Sequence, residues 1–257
     1  ADTPPLNKVS VMDSLTDPAL SPDVNSAFAA TLVGSGQCES HDFSREVQAD
    51  DPDPLVNTAT AIYEVGDDFG NRLEASDDHT VNLFQPDISV VKTGDDLSKV
   101  GDTVNYTIKV CNDSSADTPP LNKVSVTDSL TGPALSPDVN SAFAATLVGA
   151  GQCESHDFSR EVQADDPDPL VNTATAIYEV GNDFGNRLEA SDDHTVNLFQ
   201  PDISVVKTGD ELSKVGDTVN YTIKVCNDSS ADTPPLNKVS VTDSLTDPAL
   251  SPDVDSA

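Results

Sequence analysis

Four cysteines carry the most reactive chemistry in this sequence: Cys38, Cys111, Cys153 and Cys226. No C-x-x-C pair occurs among them, so zinc is disfavoured and disulfide bonding is the chemistry they suggest. A second cross-link to weigh is an amide between Lys92 and Asn197, formed with loss of ammonia. It needs a buried acid beside the pair, for which Asp128 and Glu161 are the candidates. An exposed or ion-paired lysine is the ordinary alternative. Carboxylates cluster at Asp95-Asp96, at Asp165, Asp166 and Asp168, and at Asp192-Asp193. Hard oxygen donors of this kind bind Ca²⁺, and Asp165, Asp166 and Asp168 are the candidates. No EF-hand spacing is present, and a solvated acidic surface is the favoured reading. Asn105, Asn112, Asn220 and Asn227 each open an N-x-S/T tripeptide, the acceptor pattern for N-linked glycan. His156 and His194 stand among many Ser and Asp, yet no G-x-S-x-G, H-E-x-x-H, P-loop or dinucleotide fingerprint accompanies them. No catalytic residue is expected, and no cofactor beyond the Ca²⁺ already weighed.

These residues are positioned by a pattern with a period of two. The stretch PDISVVKTGDDLSKVGDTVNYTIKVCN runs from Pro86 to Asn112 and returns at Pro201 to Asn227 with Glu211 in place of Asp96. Within it Val104, Tyr106, Ile108 and Val110 alternate with Asn105, Thr107, Lys109 and Cys111, which predicts a strand with one buried and one wet face. The repeating unit is longer than this stretch. ADTPPLNKVS occurs at Ala1, Ala116 and Ala231, a period of 115 residues. Laying 1–142 over 116–257 leaves seven mismatches, among them Met12/Thr127, Asp17/Gly132, Ser35/Ala150 and Asp67/Asn182. None alters the alternating apolar face. Solenoid repeats are shorter, roughly 20 to 50 residues, whereas this period suits one whole sandwich domain of about 100.

Proline interrupts a strand at Phe84-Gln85-Pro86 and again at Phe199-Gln200-Pro201, which sets the expected boundaries. Residues 86–200 then form one complete domain of seven strands: Asp87–Lys92, Asp102–Cys111, Asn122–Asp128, Ala142–Val148, Glu154–Val162, Leu170–Val180 and Arg187–Leu198. Turn-formers rich in Gly, Pro and Asp separate them, and no helical periodicity appears. The expected fold is all-β, in tandem immunoglobulin-like β-sandwich domains of 115 residues. Residues 1–85 would be a domain without its first two strands, and 201–257 one with its first three. Both ends are therefore expected to be cut from something longer.

Four ordered motifs carry a family resemblance. They are Val91-Lys92-Thr93; Val100-Gly101-Asp102 running on through Val104, Tyr106, Ile108, Val110 and Asn112; Val124-x-Val126-Thr127-Asp128-x-Leu130; and Leu170-Val171-Asn172-Thr173-Ala174. Together they resemble the "conserved repeat domain", modules of unknown function in large bacterial and archaeal surface proteins. The resemblance spans 86–200. It implies an immunoglobulin-like fold at a cell surface, in modules that serve mostly as spacers and stalks.

In an immunoglobulin-like order the second and fifth strands are antiparallel neighbours. Cys111 closes the second and Cys153 precedes the fifth, so both should lie at one end. Phe158 and Val162 set the inward phase of the fifth strand and leave Cys153 outward, like Cys111; Arg160 breaks that phase. A Cys111–Cys153 disulfide is therefore expected, with Cys38 and Cys226 paired outside this stretch. The rivals are Cys38–Cys111 with Cys153–Cys226, stapling neighbouring domains, and free or interchain thiols. A disulfide implies an oxidising compartment.

The charge narrows the partners. Forty-five acidic against 13 basic side chains give a formal charge of −32. That repels nucleic acid and anionic lipid surfaces, and no apolar run approaches the ~20 residues of a membrane helix. The expectation is a structural, non-enzymatic subunit of an extracellular prokaryotic filament, stalk or sheath, partnered by copies of itself and carrying covalent glycan if the sequons are used. An adhesin stalk gripping glycans or proteins through its loops is the alternative. Adhesive loops should diverge between copies, and these barely do. Strand donation between subunits is a variant, but residues 231–257 duplicate 1–27 and would compete for the same place, so a continuous chain is preferred.

Overall fold

The computed structural model describes residues 4–32, 35–66, 70–147, 149–181 and 184–256, leaving Asp67, Val148 and Asn182 outside. Among the described residues the chain is all-β, with two helices of a single turn. It divides into two compact units, 1–85 and 86–257.

The first unit contains β1 (Leu6–Asp13), α1 (Val24–Ala27), β2 (Thr31–Leu32), β3 (Leu55–Val65) and β4 (Arg72–Val81). They form one antiparallel sheet in the order β2-β1-β3-β4.

The second unit opens with β5 (Ile88–Gly94), β6 (Leu97–Ser98), β7 (Thr103–Asn112) and β8 (Leu121–Asp128). It continues through α2 (Val139–Ala142), β9 (Thr146–Leu147), β10 (Cys153–Glu161), β11 (Leu170–Val180), β12 (Arg187–Leu198), β13 (Ile203–Gly209) and β14 (Tyr221–Asn227). β10-β7-β5 make a three-stranded sheet, and β6-β12-β11-β8-β9 a five-stranded one. Every pair in these is antiparallel except β6 on β12. The core lies where their apolar faces meet. Val104, Tyr106, Ile108 and Val110 of β7 are buried, as alternation requires. So are Leu170, Ala174, Ala176, Tyr178 and Val180 of β11, with Val196 and Leu198 of β12.

The repeat supplies its own control for what buries these residues. Val81 and Val196 are equivalent positions, yet Val81 is 42% exposed and Val196 is 0%. The difference is the cover: β5 and β7 lie over the second sheet, and among the described residues the first unit holds no such pair. The mirror case is β13-β14, which keeps the β5-β7 register. Its apolar face is bare: Ile203 is 60% exposed where Ile88 is 6%.

One expected strand is replaced. Over Ala142–Val148 the chain finishes α2 and pairs only Thr146–Leu147, as β9, among the described residues. The cause is a bulge in β8: the register slips between Ser125 and Lys123, leaving Val124 without a partner. The freed Val126 N–H donates to Asn140 Oδ1 at 2.9 Å, Lys123 Nζ donates to the carbonyls of Asn140 and Phe143, and Asp138 caps the turn by accepting from Ser141 N at 2.9 Å. That last hydrogen bond also holds the Asp138 carboxyl below its usual pKa. β6, two residues long, has no alternation to announce it.

Val196→Ala should weaken hydrogen-exchange protection along β11 by about 2 kcal/mol through the cavity it leaves. Val81→Ala should move β3 by about 0.5 kcal/mol or less, being half solvated already. Exchange read at both strands in one chain checks the pair, and equal effects would contradict the role given to β5 and β7.

Candidate functional site

Alternation places most charged residues outward, so charges standing in the inward phase mark the unusual site. Ile88, Val90 and Lys92 share one face of β5, and Lys92 is 3% exposed. Its ammonium spans the core to Asp128 at the end of β8, forming a buried ion pair. It also lies 4.9 Å from the centre of the Tyr106 ring, a cation–π contact. Burial pushes the Lys92 pKa down, and the hydrogen bond and charge of Asp128 oppose that shift. Asp192 Oδ2 accepts from the Lys92 backbone N–H at 2.7 Å and ties β12 to β5. Gly94 is dictated by the same packing. A Cβ there would stand 2.6 Å from the Asn105 carbonyl and 2.8 Å from Tyr106 Cδ1.

Asn172 completes the cluster. It is 0% exposed on β11, one inward position from Ala174, which pairs with Asp128. Ser129 Oγ donates to Asn172 Oδ1 at 3.1 Å and accepts from Thr173 N at 2.9 Å. Asn172 Nδ2 has no partner, an omission that costs about 1–3 kcal/mol for a buried donor. The Tyr106 hydroxyl faces this carboxamide without forming a full hydrogen bond. Burial pushes the phenol up to about 12, and Asn172 counters part of that rise. Arg160, which breaks the phase of β10, is buried because Asp166 meets it with both carboxylate oxygens at 2.9 and 2.7 Å.

The sequence candidates are placed as follows. The β7–β10 register sets Cys153 opposite Cys111, and the two are joined as a disulfide. This excludes both pairings that would send either sulfur to another domain. Cys38 and Cys226 are free thiols, the first exposed and the second half-buried. Lys92 and Asn197 are not brought together. Asn197 is exposed, and its Nδ2 donates to Asp232 at 2.8 Å. Of the two acids proposed beside Lys92, Asp128 meets it and Glu161 is exposed on β10.

Asn105 is exposed as expected, with its amide on Asp95 at 3.0 Å. Asn220 and Asn227 are exposed too. Asn112 is not, at 1%, and its Oδ1 accepts from Ser114 N in a turn that closes β7. Its position continues the inward phase of Val104 to Val110, and it is Cys111, which alternation turns outward, that departs from the pattern by being buried too. A folded chain therefore cannot offer Asn112 for glycan.

The acidic trio does not converge. Asp166 serves Arg160 and Gln163 N, Asp168 accepts from Leu198 N at 3.0 Å, and Asp165 is exposed. Among the described residues no group of three or more His, Cys, Asp or Glu is placed to hold a metal. His156 sits edge-on to Phe143 and meets Glu154, while His194 meets the Asp95 carbonyl. Neither faces a serine in these contacts. Asn172 was the residue missed by reading the sequence, although an Asn flanked two residues away by Leu170 and Ala174 in a strict alternation is the signal that finds it.

No protein-family model matches the chain, and no curated protein does.

Two thiols per folded chain, Cys38 and Cys226, should react with maleimide, and four after reduction and unfolding. Three or four in the native chain would contradict the disulfide. The bond closes a loop spanning a sequence separation of 42, so Cys111→Ser with Cys153→Ser should cost up to about 4 kcal/mol in denaturant unfolding. Asp166→Ala strands a buried guanidinium and should cost about 3–5 kcal/mol. Asp165→Ala, its exposed neighbour, should stay within about 0.5 kcal/mol.

Proposed function

We propose that this chain is a non-enzymatic structural subunit of an extracellular prokaryotic filament, stalk or sheath, built from tandem immunoglobulin-like β-sandwich domains of 115 residues. The observation that carries the reading is the repeat itself: 142 residues recur at that spacing with seven changes, loops included. A recognition surface under selection for ligands would differ between copies, whereas a lattice needs the same surface at a fixed interval. The facing of β10-β7-β5 against β12-β11-β8 supports the sandwich, and the division between Gln85 and Pro86 supports the first boundary. The Cys111–Cys153 bond supports an oxidising environment.

The motifs shared with the conserved repeat domain agree with a surface location. Short Phe-Gln-Pro junctions leave little chain between one repeat and the next. A formal charge of −32 keeps such a polymer soluble.

Electron microscopy of the native secreted material checks the proposal. Regular fibres with an axial repeat of one domain length are expected. Dispersed particles with no periodicity, together with a glycan or protein affinity retained by an excised 86–200 fragment, would favour the adhesin alternative.

A further inference from the structure

The second unit buries an amine, a carboxylate and an amide whose NH₂ is unused, and these are the components of an amide exchange. We propose that Lys92 and Asn172 condense into an intramolecular isopeptide bond, with Asp128 as the proton-transfer group. The inference rests on the core of one unit and stands whether or not chains assemble.

The geometry comes from three strands. Lys92 on β5 reaches across the core to Asp128 on β8. Asp128 pairs with Ala174, and Asn172 is the next inward residue of β11. Tyr106 links the reacting groups from the side, with Lys92 Nζ over its ring and its hydroxyl facing the Asn172 carboxamide. Ser129 Oγ holds and polarises the amide carbonyl through its 3.1 Å hydrogen bond. Asn172 Nδ2, the group that must leave, is the one atom of that amide with nothing holding it.

The step balances without an added reagent. Lys92 passes a proton to Asp128, and its neutral Nζ attacks Asn172 Cγ. The tetrahedral centre collapses as the Cγ–Nδ2 bond breaks. Asp128 delivers the proton to the departing nitrogen and then takes the second amine proton of Lys92, so that one neutral ammonia leaves and Asp128 ends as the neutral acid. Burial favours each part. It disfavours the charged ammonium, excludes the water that would compete for the carbonyl, and fixes the partners in place. The product also loses the unsatisfied donor and the buried charge pair, so the core that remains is better satisfied.

The other copies hold parts of the arrangement. Lys207 meets Asp243 and lies 4.6 Å over Tyr221, and Ser14 Oγ meets Asn57 Oδ1 at 3.2 Å beside Asp13. The full trio stands in the second unit alone among the described residues, so one bond per chain is expected.

Intact-mass spectrometry of the reduced, denatured full chain tests this. The expected mass is the calculated one less one ammonia. Proteolysis should yield a branched peptide joining the Lys92 segment to the Asn172 segment. Lys92→Arg, Asp128→Ala and Asn172→Ala should each restore the calculated mass. Native formation of the Cys111–Cys153 disulfide in these variants reports that they folded. Asn172→Asp gives a second route, since condensation there releases water and yields the wild-type product mass. A folded wild-type chain of full calculated mass overturns the proposal. So does an ammonia deficit that survives Lys92→Arg or maps to a linear peptide, which would mark a succinimide at an asparagine.

Discussion

A sheet of this sequence hides the whole of its apolar side only when the β5–β7 pair lies across it. Everything else in the second unit depends on that cover. It closes the core over β8, β11 and β12, and it carries Lys92 to Asp128 and Cys111 to Cys153. The chain contains the experiment's control. The same residues without the cover leave β4 exposed along its whole length, and the cover without its sheet leaves β13 and β14 bare. Backbone pairing survives in both cases, because ladder hydrogen bonds need only neighbouring strands. Side-chain burial survives only in part, at Val11, Leu55 and Tyr63 of the first unit, because full burial needs a second layer.

Within that core the polar groups are matched against the cost of hiding them. A buried cation is tolerable when a carboxylate meets it with good geometry, and Lys92–Asp128 and Arg160–Asp166 satisfy that rule. Arg45–Asp51 repeats the second pair in the first unit at 2.9 Å, so its formation is local and independent of the missing cover. The Lys92 pair differs in kind. Its members come from facing sheets, although the equivalent Lys207 and Asp243 also meet where β13 and β14 have no second sheet among the described residues. Acidic excess elsewhere stays at the surface, where solvent and salt screen it. The asymmetry explains how a chain with 45 carboxylates can still form an ordered interior.

How much of this could be read before folding differs by residue. Alternation located β7, β11 and β12 to within two residues at each end, since strands half-buried on one face declare their period. It also favoured Cys153 opposite Cys111 from strand order and phase, although Cys111 is buried rather than outward. It failed at α2, where a bulge in β8 frees a backbone N–H that an asparagine fourteen residues later must satisfy. That demand comes from a neighbouring strand and leaves no periodic mark. It failed again at Cys111, which the alternation of β7 turns outward and which is buried.

The amino-acid order by itself determined most of the strands, the repeat of 115 and the anionic surface, and it favoured the Cys111–Cys153 pairing over its rivals, because those follow from local phase, identity and composition. Only the tertiary structure decided that Lys92 meets Asp128 and stands over Tyr106, with Asn172 rather than Asn197 sharing the same interior. Phase says that a side chain points inward. Which inward side chains meet depends on how far two sheets are offset when they close, and that offset is a property of the packed layers rather than of any one strand.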